Sequence, residues 1–134
     1  MALNPRLQDW RDRTVWVVGA STGIGRATAS LLHSQGAQVL VSARSEPALE
    51  AFVQAHPGSV AVPLDVTDER SVRELAGEIG GKVDIVVNTA EYHRAFGISA
   101  RRGTDVAKAE MEVNYFGLLR LAQAFGPALK GRSA

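Results

Sequence analysis

Three glycines carry the clearest chemistry in this chain. Gly19, Gly23 and Gly25 follow directly on the β-branched apolar run Thr14–Val18 and stand at the mouth of a helical pattern that begins at Ile24. A strand-to-helix turn built this way suits an anion. Glycine turns the chain tightly, lets the backbone approach an oxyanion with no Cβ in the way, and presents it to the free N–H groups of the helix start. A pyrophosphate fits that description. The spacing is G-x-x-x-G-x-G, not the G-x-G-x-x-G of the general dinucleotide fingerprint. The order strand, loop, helix therefore carries as much weight as the glycines, and a plain turn containing three of them is the alternative.

Other residues with chemical potential sit at the ends of later apolar runs: Arg44 after the second, Asp65 after the third and Asn88 after the fourth. Asp65 equally suits a turn or cap, and Asn88 a residue that satisfies loop backbone groups. Cysteine is absent, which excludes a disulfide framework, a thiolate metal site and a catalytic thiol. His33, His56 and His93 are scattered without ligand spacing and read as helix-face, turn and loop residues, so no metal site is expected. Arg94, Arg101 and Arg102 give a loop basic character, read as solvated charge.

The elements that must position these residues alternate strictly. Strands are expected at 14–18, 38–43, 60–64 and 83–87, and helices at 24–35, 46–55, 68–79 and 105–130. Gly36 closes the first helix as a C′ residue, Pro47 is tolerated in the first turn of the second, and Asp68 caps or opens the third. On the last helix the spacing of Met111, Tyr115, Leu118, Ala122 and Phe125 predicts the buried stripe, with Asn114 on or beside it. Nearly all-apolar strands joined by helical crossovers predict an α/β, Rossmann-like doubly wound parallel sheet of βαβαβαβα form, with strand order 3-2-1-4. The ligand crevice belongs at the switch between the first and fourth strands.

Length and composition set the outer bounds. The chain has 134 residues, 46% hydrophobic and 22% charged, which suits one globular unit over 1–134 with residues 1–12 as an N-terminal extension. Fifteen basic and 14 acidic residues leave a net charge of +1 without long like-charge runs, so a nucleic-acid surface is not indicated. The longest apolar runs, such as Val15-Trp16-Val17-Val18, are too short to span a bilayer. The first 13 residues carry Asp9 and Asp12 and no apolar core, so no secretory signal is read and a cytoplasmic location is expected.

Four segments, taken in order, resemble the short-chain dehydrogenase/reductase family. Gly19-x-x-x-Gly23-Ile24-Gly25 is similar to its T-G-x-x-x-G-I-G, with Val18 in place of the Thr. Leu64-Asp65-Val66-Thr67-Asp68 resembles its D-V segment. Val87-Asn88-Thr89-Ala90 resembles its N-N-A-G, with Thr89 for the second Asn and Glu91 for the Gly. Glu112-Val113-Asn114-Tyr115-Phe116-Gly117 resembles its V-N-x-x-G. The similarity covers about residues 10 to 130.

The resemblance implies a dinucleotide site and a hydride transfer between nicotinamide and a small carbonyl or alcohol substrate. Gly19, Ser21, Thr22, Gly23, Ile24 and Gly25 are then assigned to the cofactor at the helix start. Asp65 would accept from the adenine amino group, Val66 would lend its backbone N–H, and Asn88 and Ala90 would line the cofactor's path. An acid near the end of the second strand usually reads a free ribose 2′-hydroxyl. Here the strand ends Ser42-Ala43-Arg44-Ser45, where Arg44 can pair with a 2′-phosphate and Ser42 or Ser45 can donate a hydroxyl. One charge-assisted bond of roughly 1.5–3 kcal/mol corresponds to roughly ten- to a hundredfold, so NADP(H) is favoured over NAD(H). A second basic residue just before Gly23, common in NADP-binding relatives, is absent, since Thr22 stands there.

The family's catalytic set is a Ser, a Tyr and a Lys four residues after it, the cation being what lowers a phenol pKa of about 10 toward neutrality. Tyr92 is followed at that spacing by Phe96 and Tyr115 by Leu119, so the 134 residues hold no Tyr-x-x-x-Lys. Only Asn114 maps onto the catalytic set, where relatives use it to hold a relay water. The sequence stops where the family's fifth strand would begin, so the chain reads as the cofactor-binding half of an oxidoreductase, inactive alone. The fourth strand would then lie at an open sheet edge, which predicts homo-oligomers or pairing through that edge. An inactive dinucleotide-binding or protein-pairing module and a non-functional fragment remain alternatives.

Overall fold

The computed structural model describes residues 6–94, 99 and 101–130. Four parallel strands, β1 (Thr14–Val18), β2 (Gln38–Ser42), β3 (Val60–Ala61) and β4 (Ile85–Asn88), form one sheet of order β3-β2-β1-β4. The helices between them are α1 (Gly23–Ser34), α2 (Glu46–Ala55) and α3 (Glu69–Ile79). After β4 come α4 (Gly103–Met111), a π-helical turn (Glu112–Gly117) and α5 (Leu118–Lys130). This is the Rossmann-like α/β arrangement that the alternation of elements predicts.

Period-two alternation along β1 builds two cores. Val15 and Val17 point to one face and pack with Ala29, Leu32, Leu49 and Phe52 of α1 and α2. Trp16 and Val18 point to the other and pack with Val72, Leu75, Leu121 and Phe125 of α3 and α5. Central strand β1 is buried on both sides, while every residue of the edge strand β4 is only partly buried. The Trp16 and Phe125 rings lie 4.4 Å apart, and the Trp16 indole N–H donates to Ser42 Oγ at 2.7 Å. Burying each such aromatic contributes roughly 1.5–3 kcal/mol.

Helix ends follow their local chemistry. Gly36 takes φ +91 beyond α1, and the Gly36→His33 and Ala37→Leu32 backbone bonds complete a Schellman closure. Asp68 caps α3, accepting from the N–H groups of Arg70 and Ser71 and from the Ser71 hydroxyl. Hydrogen bonds from Ser71, more than from Arg70, hold its carboxyl below the usual range.

Several expectations need correction. Regular pairing of β3 stops at Ala61, not residue 64; Val62 and Leu64 still donate to Val41 and Ala43, but Pro63 between them has no N–H to give. The strand expected at 83–87 is Ile85–Asn88, preceded by Asp84, whose carboxylate accepts from Thr14 N–H. The last helix is not one α-helix from 105, and its predicted stripe does not hold. Met111, Tyr115 and Leu118 are about half exposed (49%, 52% and 49%) and Ala122 is exposed; of the predicted stripe Phe125 alone is buried, joined by Gly117 and Leu121. A π-helical turn takes an extra residue, so a 3.6-residue period projected through 112–117 loses its phase. His33 and His56 are not scattered. Their rings meet edge-on at 5.2 Å beside Phe52, with His56 bonded to Phe52 O and Ser30 Oγ. Among the described residues no three His, Asp or Glu cluster as metal ligands, and no helix is long and apolar enough to cross a membrane.

Candidate functional site

The sheet order puts a switch point between β1 and β4, and a cleft of about 460 Å³ opens there at the C-terminal ends of the strands. Its floor is the turn from β1 into α1. Gly19 and Ala20 spend their N–H groups on the Ser42 carbonyl, at 2.8 and 3.0 Å, which ties the turn to the end of β2. Thr89 ties it to β4, its N–H donating to Val18 O at 2.8 Å and its hydroxyl lying 2.9 Å from Val18 O and 3.2 Å from Gly19 O. The turn is thus clamped between two strands.

Each glycine of the loop has its own reason. A Cβ on Gly19 (φ +87) would sit 2.5 Å from Ala90 N, and one on Gly25 would sit 2.2 Å from Gly19 O and 2.3 Å from Thr89 Oγ1. These two are required by the protein's own packing. Gly23 (φ +58) differs, because a Cβ there would meet nothing within 4 Å. Its bare Cα faces the open cleft, a surface that a ligand could approach closely. The N-cap of α1, Thr22, makes no side-chain cap bond, and no acidic residue lies in the first turn. The helix start therefore keeps N–H donors and a positive dipole end for an anion. These features fit a dinucleotide pyrophosphate.

Ten of the eleven residues that the sequence assigns to a cofactor line this one cleft: the loop residues Gly19, Ser21, Thr22, Gly23, Ile24 and Gly25, then Arg44, Asp65, Val66 and Ala90. Asn88 does not. It pairs with Val18 in the sheet, and its Oδ1 accepts from Ala90 N–H at 3.2 Å, so it shapes the turn beneath the cleft. Asp65 Oδ1 is held by the Thr67 N–H (2.9 Å) and hydroxyl (2.7 Å). Arg44 is exposed on the rim directly after β2 and makes no ion pair among the described residues. Ser42 is withdrawn from any ligand. It is fully buried, accepts from Trp16 and donates to Val62 O. Of the two hydroxyls expected near a 2′-phosphate, only exposed Ser45 remains.

Asn114 stands in the middle of the π-helical turn and is exposed, not buried. Its amide accepts from Tyr92 N–H and donates to Tyr92 O, both at 2.8 Å. The helix thereby holds the backbone that leaves β4. Arg120, which the sequence reading passed over, does a similar job on the other side. Its guanidinium donates to Val66 O at 3.2 Å and pairs with Glu112. A lone Arg in the apolar run of α5 was the available signal. Glu91 and Val113 also line the cleft and were not named as site residues.

This geometry accompanies a direct sequence match. Residues 13–134 match the family described as short chain dehydrogenase. The chain belongs to the short-chain dehydrogenase family. Among its relatives, rat dehydrogenase/reductase SDR family member 7B is 34% identical over 141 residues, covering 91% of this chain and 41% of the rat protein. The Pseudomonas aeruginosa RhlG/NADP active-site complex superimposes with a TM-score of 0.82 at 26% identity, covering 94% of this chain and 51% of that one. A Brucella melitensis structure described as ribose-5-phosphate isomerase gives 0.85 at 27% identity, covering 93% and 50%. The chain thus spans about half the length of these proteins. Descriptions as different as an isomerase and an NADP complex also mean that this short-chain dehydrogenase's own chemistry must be argued from its cleft.

Proposed function

We propose that this short-chain dehydrogenase chain is a dinucleotide-binding unit over 1–134 that takes NADP(H) in preference to NAD(H). It would serve an oxidoreductase acting on a small carbonyl or alcohol substrate. The observation that carries the reading is Gly23, a positive-φ residue that lines the cleft, where a Cβ would meet no protein atom within 4 Å, at the start of a helix without a side-chain cap bond. Two of its neighbours are glycine because a Cβ would collide with the protein; at Gly23 the left-handed backbone favours glycine, and no packing contact would meet a Cβ. The helix start would hold the pyrophosphate, Asp65 and Val66 the adenine, and Arg44 the 2′-phosphate. The bound cofactor supplies the hydride. What these residues do is bind and orient it.

With no Tyr-x-x-x-Lys among the 134 residues, we expect this chain by itself to bind cofactor without turnover. Titration of the purified chain with NADPH and NADH, followed by nicotinamide fluorescence, tests the reading. Saturable binding with NADPH preferred is expected. Failure of both to bind a chain that circular dichroism shows to be folded would reduce the glycine loop to inherited architecture.

A second reading, pairing with another chain, draws on the sheet edge. β4 ends the sheet, and Met111, Tyr115, Phe116, Leu118 and Leu119 are between 39% and 52% exposed. An edge strand and clustered apolar side chains both favour association. Sedimentation at rising concentration should show dimers or larger species; a monomer throughout would remove this reading.

A further inference from the structure

Charge is unevenly placed around the cleft. Arg44 and Asp65 follow β2 and β3, on one side of β1, while Glu91 follows β4, on the other. Among the lining residues Glu91 is the only charged one beyond β4, and it has no hydrogen bond or ion pair among the described residues. Its backbone position is well fixed. Ala90 N–H is held by Asn88, Tyr92 is held at both its N–H and its carbonyl by Asn114, and Glu91 lies between these two anchors. A glutamate here also departs from the glycine that the family's N-N-A-G pattern has at this place.

A dinucleotide centred on the start of α1 must extend in two directions. Its adenosine half belongs over β2 and β3, where Arg44, Asp65 and Val66 lie, so its nicotinamide half belongs on the β4 side. The two redox forms of the cofactor share every phosphate. They differ by one unit of charge, on the nicotinamide ring, which is cationic when oxidised and neutral when reduced. Repulsion between Glu91 and the phosphates weakens both forms alike and cancels in their ratio. Attraction to the ring acts on the oxidised form alone.

We propose that Glu91 is a specificity-determining residue of the cleft, whose carboxylate favours the oxidised, cationic nicotinamide over the reduced one. The inference rests on the reading of the cleft as a dinucleotide site. A ligand form that binds more tightly is thermodynamically harder to convert, so the selectivity makes bound reduced cofactor the better hydride donor. A carboxylate and a cationic ring on the same side of a solvent-open cleft would give an effect of about three- to tenfold.

Dissociation constants for NADP+ and NADPH, measured calorimetrically on the wild-type chain and on Glu91→Gln, test it. The phosphorylated fragment 2′-phospho-ADP-ribose, which lacks the ring, serves as a third probe. Glu91→Gln keeps the side-chain shape at an exposed position, and circular dichroism checks its fold. The substitution is expected to shift the affinity ratio toward NADPH by about three- to tenfold. Raising the salt concentration should compress the ratio of the wild type but not that of the variant. An unchanged ratio, with both cofactors and the fragment bound, overturns the role of Glu91 and leaves the dinucleotide site standing. If none of the three probes binds the folded wild-type chain, the dinucleotide reading falls and the inference falls with it.

Discussion

Asn114 and Tyr92, 22 positions apart, are joined by a reciprocal pair of hydrogen bonds, each 2.8 Å long, between one amide side chain and one residue's backbone. A single side chain thus satisfies the N–H and the carbonyl of the segment that leaves β4 just beside the cleft. The π-helical turn at Glu112–Gly117 carries this residue, and such turns mark functional positions more often than ordinary helix does. The bonds thus couple the turn between α4 and α5 to the segment that carries Glu91 of the cleft lining.

Replacing Asn114 with Ala should therefore loosen that segment. Two hydrogen bonds at about 0.5–1.5 kcal/mol each give an expected loss of about 1–3 kcal/mol in urea denaturation. Amide exchange at Tyr92 should accelerate more than at β1. Asn114→Asp keeps the acceptor but sets an anion against the Tyr92 carbonyl, so it should be no milder. Unchanged exchange at Tyr92 in both variants would mean that other contacts hold the segment.

Gly23 and Gly25, two residues apart, should respond differently to the same substitution. Gly25→Ala drives a methyl to within 2.3 Å of Gly19 O and Thr89 Oγ1, so stability and cofactor binding should fall together. Gly23→Ala meets no atom within 4 Å and costs only the left-handed backbone, about 1–2 kcal/mol. It should stay folded yet lose NADPH affinity by about tenfold or more, because its methyl occupies ligand space. Wild-type affinity in Gly23→Ala would take this residue off the binding surface.

Ser42→Ala separates structure from recognition at the end of β2. Trp16 and Ser42 are both fully buried, and the Ser42 hydroxyl is the acceptor for the indole N–H. Its removal leaves a buried donor unsatisfied, which should cost about 1–3 kcal/mol of stability. The ratio of NADPH to NADH affinity should not change. A shift in that ratio would mean the hydroxyl turns toward ligand.

Sequence pattern and tertiary structure agree where the local chemistry alone decides the outcome. The strands announce themselves because Val15, Val17, Trp16 and Val18 are buried on both faces of a central strand, so no polar residue interrupts them. Gly36 and Asp68 mark helix ends through chemistry confined to a few neighbouring residues. Ten of the residues picked from the sequence line one cleft because they lie at or beyond the C-terminal ends of the parallel strands, or at the start of α1, where this sheet order gathers them. What escaped depends on partners distant in sequence. The hydroxyl of Ser42 is spent on Trp16, 26 residues away, and Arg120 reaches the Val66 carbonyl 54 residues away. His33 and His56 meet only because α1 and α2 cover the same face of the sheet. The helix phase failed for a geometric reason, since periodicity assumes 3.6 residues per turn and the chain departs from it at Asn114.

If the cleft takes the proposed NADP(H), Arg44 is the cation among its described lining residues that a 2′-phosphate would meet. Ser42 points into the core, Thr22 stands where a second basic residue would help, and Asp65 on the same side of the cleft is an acid. Arg44→Asp should therefore do more than lose a bond. It places an anion where the phosphate would lie, so NADPH affinity should fall by about ten- to a hundredfold while NADH affinity changes little, reversing the preference. Because the site is open, wild-type affinity for NADPH should also weaken with salt more steeply than that for NADH, and in the variant, where salt screens a repulsion, the difference should reverse in sign. Parallel titrations at low and high salt measure all of this. If the ratio of affinities is the same in wild type and Arg44→Asp, the arginine is a solvated turn residue, and no other cation among the described residues lining this cleft can account for a choice between the two cofactors.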